Sequence, residues 1–189
     1  TTKKVYDWGL NGNERIWISN GYDEIETKEE MIDYLENYRG IKIPITFNDI
    51  WNDKQIATFD LIKQLDKDKR LINMFQIIKD EGIKIAVASN SIRETVKLSL
   101  LKIGVMEYVD YYISNEDVKR TKPFPEMYWK CMTELNVLPK NTVIIEDSHI
   151  GRQGAMDSGA HLIPVKDSTE LTQEKINEAI NTTLSKYFE

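Results

Sequence analysis

Hydrophobic positions in this chain follow two different periods, and the change falls near residue 66. Before it, apolar side chains recur at helical spacing. Thr27-Lys28-Glu29-Glu30 is a capping box, and Met31, Ile32, Tyr34 and Leu35 carry one apolar face on to about Tyr38, where Gly40 supplies a stop. Phe47-Asn48-Asp49 starts a second helix through Trp51, Ile56, Phe59, Leu61 and Ile62. Arg15-Ile16-Trp17-Ile18-Ser19 alternates like a strand but is short and isolated. After Asp66 short apolar runs alternate with helical segments. Helices are predicted at Leu71 to Lys79, Ile92 to Lys102, Pro125 to Leu135 and Ile150 to Ser158, the last with Gly159 just beyond its end. Strands are predicted at Ile83 to Ala88, Tyr111 to Ser114, Thr142 to Glu146 and His161 to Val165. This order predicts an α/β fold with a doubly wound, parallel, Rossmann-like sheet. The chain divides into a helical front part, residues 1–65, and an α/β back part, residues 66–189.

Composition narrows the class. With 189 residues, 41% hydrophobic and 30% charged, the chain fits one soluble globular domain, or one domain with an insertion. A net charge of −6 leaves no electrostatic footprint for nucleic acid. No apolar run is long enough to span a membrane, and no signal peptide is visible. The single cysteine, Cys131, excludes an intramolecular disulfide and fits a reducing, cytoplasmic setting. A monomer or weak homo-oligomer is expected.

Three strand ends carry candidate chemistry. Val143-Ile144-Ile145-Glu146-Asp147-Ser148 delivers two carboxylates to the rim of a sheet, where ligands of open α/β sheets bind. Carboxylates with no Cys or His cluster beside them suit Mg²⁺ rather than zinc. Taken alone, Asp147 could simply cap a helix. Ser89-Asn90-Ser91 offers a hydroxyl, an amide and backbone N–H groups at a helix start, which could hold an oxyanion. Ser91-Ile92-Arg93-Glu94 also reads as a capping box, which would make Ser91 structural. Lys119-Arg120-Thr121-Lys122-Pro123-Phe124-Pro125 sets a lysine in a loop stiffened by two prolines, with Pro125 at the first helical position. Alone, Lys122 would be an ordinary solvated lysine.

Together, in this order and spacing, these segments resemble the haloacid dehalogenase-like phosphatase superfamily over Leu71 to Val165. The matching pieces are Ile85 to Ser91, Lys122-Pro123-Phe124-Pro125-Glu126-Met127-Tyr128, and Ile145-Glu146-Asp147-Ser148 with Gly151, Ala155, Gly159 and Ala160. The Glu-Asp-Ser form with Lys-Pro-x-Pro is similar to the branch of β-phosphoglucomutase and phosphoglycolate phosphatase. The resemblance implies that Ser89 binds phosphate through its hydroxyl and Asn90 through its N–H. It implies that Lys122 offsets phosphate charge and orients the acids, that Glu146 and Asp147 hold Mg²⁺, and that Ser148 supports the metal shell. It makes residues 1–65 a helical cap closing over a small phosphorylated substrate.

That chemistry also needs a strand ending in Asp-x-Asp, with a nucleophile and an acid/base. No such motif follows an apolar run in this chain. Asp7 and Asp23 are poor substitutes. The chain is expected to begin inside the cap, with the nucleophile strand upstream of Thr1. Its loss should leave a one-strand gap beside the strand ending at Glu146, bordered by two open edges. Arg15 to Ser19 is the chain's own weak candidate to fill it. The expected function is a Mg²⁺-dependent phosphatase or phosphomutase, inactive as this chain. The alternative is a non-catalytic phosphate- or metal-binding module of the same fold. A dehalogenase of the superfamily would not need the Glu146-Asp147 pair. Neither His149 nor His161 is expected to be a ligand, Cys131 is expected to be buried, Trp8, Trp17 and Trp51 are expected in the cap core, and Arg152 has no assigned role.

Overall fold

The computed structural model describes residues 47–185. The chain separates into two compact units, Thr1–Asp60 and Leu61–Glu189. Asp7, Trp8, Trp17, Asp23, the Arg15 to Ser19 run and the Thr27 capping box lie outside the described residues. The helix predicted from Phe47 is present as α1, Phe47–Lys63. Its Trp51 is 38% exposed rather than a core side chain.

The second unit alternates as expected. Helix α2 (Lys69–Asp80) leads into strand β1 (Ala86–Ala88), α3 (Arg93–Ile103), β2 (Tyr111–Ile113), α4 (Glu126–Glu134), β3 (Val143–Glu146), α5 (His149–Asp157) and β4 (His161–Pro164). A last helix, α6 (Gln173–Ser185), was not anticipated from the sequence. Its apolar residues Ile176 and Ile180 are one turn apart and bury against Met74 of α2 and Ile145 of β3. The stop after α5 is as expected, with Gly159 at φ +80°.

Two apolar layers sandwich the strands. Val87 and Tyr112 pack against Val96 and Leu100 of α3, with Phe75 of α2 in the same cluster. On the other face Ile113 and Ala88 meet Met127 and Cys131 of α4. Ile144, Leu162 and again Ala88 meet Tyr128, Met132 and Ala155, from α4 and α5. Alternate residues of β1, β2 and β3 thus enter opposite layers, as a doubly wound sheet requires.

The strands nevertheless form two separate parallel pairs, β1 with β2 and β3 with β4. In β1, Ile85 O accepts from Asp110 N at 2.9 Å and Ser89 N donates to Ile113 O at 3.0 Å, so odd positions face β2. Ala86 and Ala88 therefore turn their N–H and C=O groups to the other edge. In β3, Thr142 O and Glu146 O accept from His161 N and Val165 N at 2.9 and 3.1 Å, so Val143 and Ile145 turn theirs away from β4. Those two edges flank the same apolar cluster and pair with no strand among the described residues. Accordingly Ala86 is exposed and Val143 to Ile145 are only half-buried. Among the described residues, no helix is long and apolar enough to cross a membrane.

Candidate active site

The C-terminal ends of β1 and β3 are joined by one side chain. Lys122 donates from Nζ to Ala88 O at 3.1 Å and to Glu146 Oε2 at 2.7 Å. Its ammonium also lies 5.1 Å from the centre of the Tyr128 ring. An ammonium has three N–H groups, so one remains for a ligand. The loop that carries Lys122 is latched by Asn90. The Asn90 amide accepts from Lys122 N at 3.2 Å and donates to Lys122 O at 3.4 Å. The Lys122–Pro123 peptide bond is cis.

Glu146 is the buried centre of this group. Ser148 donates to its Oε1 from N and Oγ, at 3.1 and 2.7 Å. Lys122 and the Tyr128 hydroxyl, at 2.9 Å, share Oε2. Burial pushes the Glu146 carboxyl upward, but the hydrogen bonds from Lys122 and Ser148 and the lysine charge outweigh it and hold it well below the usual carboxylate range. The Tyr128 hydroxyl moves the other way: burial and the Glu146 charge raise it. It stays a donor at any working pH, with Gly151 O at 3.1 Å as its second acceptor.

The start of α5 is shaped around that carboxylate. Ser148 caps it, accepting from Gly151 N at 3.0 Å. A Cβ on Gly151 would lie 2.1 Å from Glu146 Cδ, so only glycine fits there. A Cβ on Gly154 would meet Pro123 O at 2.8 Å, so the lysine loop rests directly on the helix. Arg152 acquires a role: Nη2 donates to Val165 O at 2.7 Å and Asp147 O at 2.9 Å, tying the ends of β3 and β4 together.

The residues singled out from sequence are thus placed as follows. Asn90, Lys122, Glu146 and Ser148 form one hydrogen-bonded cluster, and Ser89 lies beside it in the chain between Ala88 and Asn90. Asp147 stands beside it with an exposed carboxylate that has no protein partner among the described residues. The Ser89 hydroxyl accepts from Ser91 N at 3.2 Å. Asn90 is exposed and its N–H finds no acceptor among the described residues, which leaves it open to an anion. Two details differ from expectation. Ser91 is not part of a capping box: Ile92 is the N-cap, so Glu94 falls one position short, and Glu116 Oε2 instead accepts from Arg93 N at 2.6 Å. Pro125 is the N-cap of α4 rather than its first helical residue. Cys131 is buried as expected, and burial pushes its thiol up to about 12. His149 is exposed.

Sequence reasoning missed Tyr128, the Asn90 latch and the Arg152 tie. Asn90 and Tyr128 stood in quoted motifs, but nothing local marks the Asn90 amide as a latch on Lys122 or the Tyr128 hydroxyl as a partner of Glu146, eighteen residues away.

No group of three or more His, Cys, Asp or Glu side chains suited to a metal forms among the described residues. Glu146 already accepts from four donors, whereas Asp147 is free. That suits Mg²⁺, which binds through one or two carboxylates and keeps several waters.

A family model described as haloacid dehalogenase-like hydrolase matches residues 19–165. The chain is 26% identical over 134 residues to a phosphorylated carbohydrates phosphatase of Thermotoga maritima, covering 71% of this chain and 57% of that protein. It is 28% identical over 90 residues to the pyrophosphatase PpaX of Bacillus mycoides, covering 48% and 42%. The chain spans about half the length of these curated relatives. A crystal structure of β-phosphoglucomutase from Clostridium difficile superposes with a TM-score of 0.64 at 20% identity, covering 84% of this chain and 79% of that one.

Proposed function

The chain belongs to the haloacid dehalogenase-like hydrolase family, and on that premise we propose that it carries the phosphate- and Mg²⁺-binding part of a phosphatase or phosphomutase acting on a small phosphorylated metabolite. One observation supports this most: the Lys122 ammonium, paired with Glu146 in a loop held by Asn90, keeps one N–H unused, and the next residue, Asp147, carries an exposed carboxylate with no partner among the described residues. In this reading the Ser89 hydroxyl and the Asn90 N–H take two phosphate oxygens, and the third N–H of Lys122 offsets their charge. Glu146, held by four donors, fixes the ammonium. Asp147 supplies the first carboxylate to Mg²⁺, with Glu146 behind it and Ser148 fixing Glu146. When bound, Mg²⁺ supplies positive charge to the phosphoryl oxygens. Residues 1–65 serve as the cap. The attacking carboxylate is not among the described residues, and no Asp-x-Asp follows an apolar run in the chain. So the chain by itself binds phosphate without turning it over.

Calorimetric titration of the chain with inorganic phosphate, with and without Mg²⁺, tests the binding half. We expect Mg²⁺-dependent binding that Ser89→Ala weakens and Asp147→Asn removes. Binding indifferent to Mg²⁺ and to both variants sinks the assignment. For catalysis, p-nitrophenyl phosphate and sugar phosphates are assayed with Mg²⁺. Turnover that survives Asp7→Asn would sink the claim that the nucleophile is missing. If the chain together with any polypeptide encoded upstream of it hydrolyses no phosphate ester, the phosphatase reading fails.

A further inference from the structure

Asp147 is held by its backbone alone. Among the described residues its carboxylate has no partner, and the bond its carbonyl accepts from Arg152 is the one hydrogen bond it makes. Its neighbours are fixed through their side chains. Glu146 accepts from four donors, and Ser148 both donates to Glu146 and caps α5. Arg152 stands one helical turn after Ser148, where its N–H donates to Ser148 O at 2.9 Å. From there its guanidinium reaches back to three carbonyls. Nη2 donates to Val165 O at 2.7 Å and to Asp147 O at 2.9 Å, and Nε donates to Glu146 O at 3.4 Å. No carboxylate pairs with it among the described residues, so its charge serves these carbonyls only. Two carbonyl oxygens converging on one nitrogen repel each other, and the cation between them offsets that repulsion. A cation in the first turn of a helix also opposes the helix dipole. A local rule broken where the chain leaves β3 points to a task other than helix stability.

We propose that Arg152 is the positioning residue of Asp147: it locks the backbone between β3 and α5, so that the free carboxylate is already aimed when Mg²⁺ arrives. This rests on the reading of Asp147 as a Mg²⁺ ligand given above. A carboxylate already aimed loses less freedom on binding than one free to swing. By charge alone Arg152 works against the cation, because it brings a second positive group to the same loop. The two effects have opposite signs. Deleting the guanidinium strengthens Mg²⁺ binding if charge governs and weakens it if aim governs. Removing a group that orients a metal ligand commonly costs about 10- to 100-fold in metal affinity.

The test uses the full 189-residue chain labelled with ¹⁵N and titrated with Mg²⁺ alone. The amide signals of Asp147 and Ser148 report binding, and ¹⁵N relaxation of the metal-free samples reports backbone order. Arg152→Met keeps an apolar stem without the charge. Arg152→Lys keeps the charge, but its ammonium ends one bond short of Nη2 and lacks the fork that spans three carbonyls. Arg152→Met is expected to weaken Mg²⁺ by about tenfold or more, and to lower the order parameter of the Asp147 amide from about 0.85 to below about 0.6. Arg152→Lys should weaken Mg²⁺ in the same direction with no change in net charge, and it decides alone if Arg152→Met does not fold. Asp147→Asn, run in the same series, should abolish binding. A parent chain that binds no Mg²⁺, or an Asp147→Asn chain that binds it as well as the parent, removes the reading of Asp147 and this proposal with it. If those two behave as expected, three results overturn the positioning role while the site reading stands: Arg152→Met binds Mg²⁺ as tightly as the parent or more tightly, Arg152→Lys matches the parent, or the order of the Asp147 amide does not change.

Discussion

Replacing Lys122 by methionine removes one charge from a pair whose side chains are only 8% and 9% exposed. The apolar stem is kept, so packing changes little and the loss is electrostatic. Removing one partner of a buried pair leaves the other as an uncompensated charge, which costs about 3 to 5 kcal/mol. The carboxylate gives a figure of similar size. A fall in the Glu146 carboxyl from 4.5 to about 2 corresponds to roughly 3 kcal/mol of stability. Because the folded value is depressed, that stability is present above the ordinary carboxylate range and is lost as pH falls from 4.5 through about 2. In Lys122→Met the lysine's hydrogen bond and charge are lost while the Ser148 donors stay, so the Glu146 carboxyl rises from that depressed value. The assay is urea unfolding in EDTA, comparing variant with parent at matched pH so that other titrations cancel. At pH 7 the midpoint should drop by about 1 to 3 M, taking a slope near 2 kcal/mol/M. The deficit should shrink as pH falls from 4.5 toward about 2, and Lys122→Met with Glu146→Gln should recover much of it at pH 7. A deficit under about 1 kcal/mol at pH 7, or one that Glu146→Gln leaves unchanged, refutes the reasoning.

Tyr128→Phe deletes a hydrogen bond to a charged group and should cost about 1.5 to 3 kcal/mol in the same unfolding assay. Combined with Glu146→Gln it should cost clearly less, because part of its effect runs through that carboxylate. Gly151→Ala forces a methyl into the Glu146 carboxylate, so stability should fall by about 1 to 3 kcal/mol, whereas an alanine at exposed Gln153 should stay within about 0.5 kcal/mol. Cys131, with its thiol raised to about 12, should react with a disulfide reagent at pH 8 far more slowly in the folded chain than in urea.

The order of elements from α2 to β4 was legible because it depends on local pattern. Consecutive apolar residues bounded by polar turns specify strands buried on both faces, and β1 to β4 lie where those runs do. The candidate site was legible for the same reason, since each member ends a strand or sits in a proline-stiffened loop. The departures are local competitions that sequence cannot weigh. Ser91 has the spacing of a cap, yet Glu116, distant along the chain, holds Arg93 N instead. The polar face of α6 hid its contribution until Ile176 and Ile180 met Met74.

The sequence by itself determined where strands end, which chemistry stands at each end, and that an Asp-x-Asp strand is not printed among its residues. These are matters of residue type and of periods two and 3.6. Only the tertiary structure decided how the pieces join. It placed the Lys122 ammonium between Ala88 and Glu146, set Tyr128 as the fourth donor to that carboxylate, and left Asp147 free beside it. It also left the edges of β1 and β3 unpaired with any strand among the described residues. Hydrogen bonds and buried charges depend on distance between groups far apart in sequence, and that distance exists only once the layers have packed.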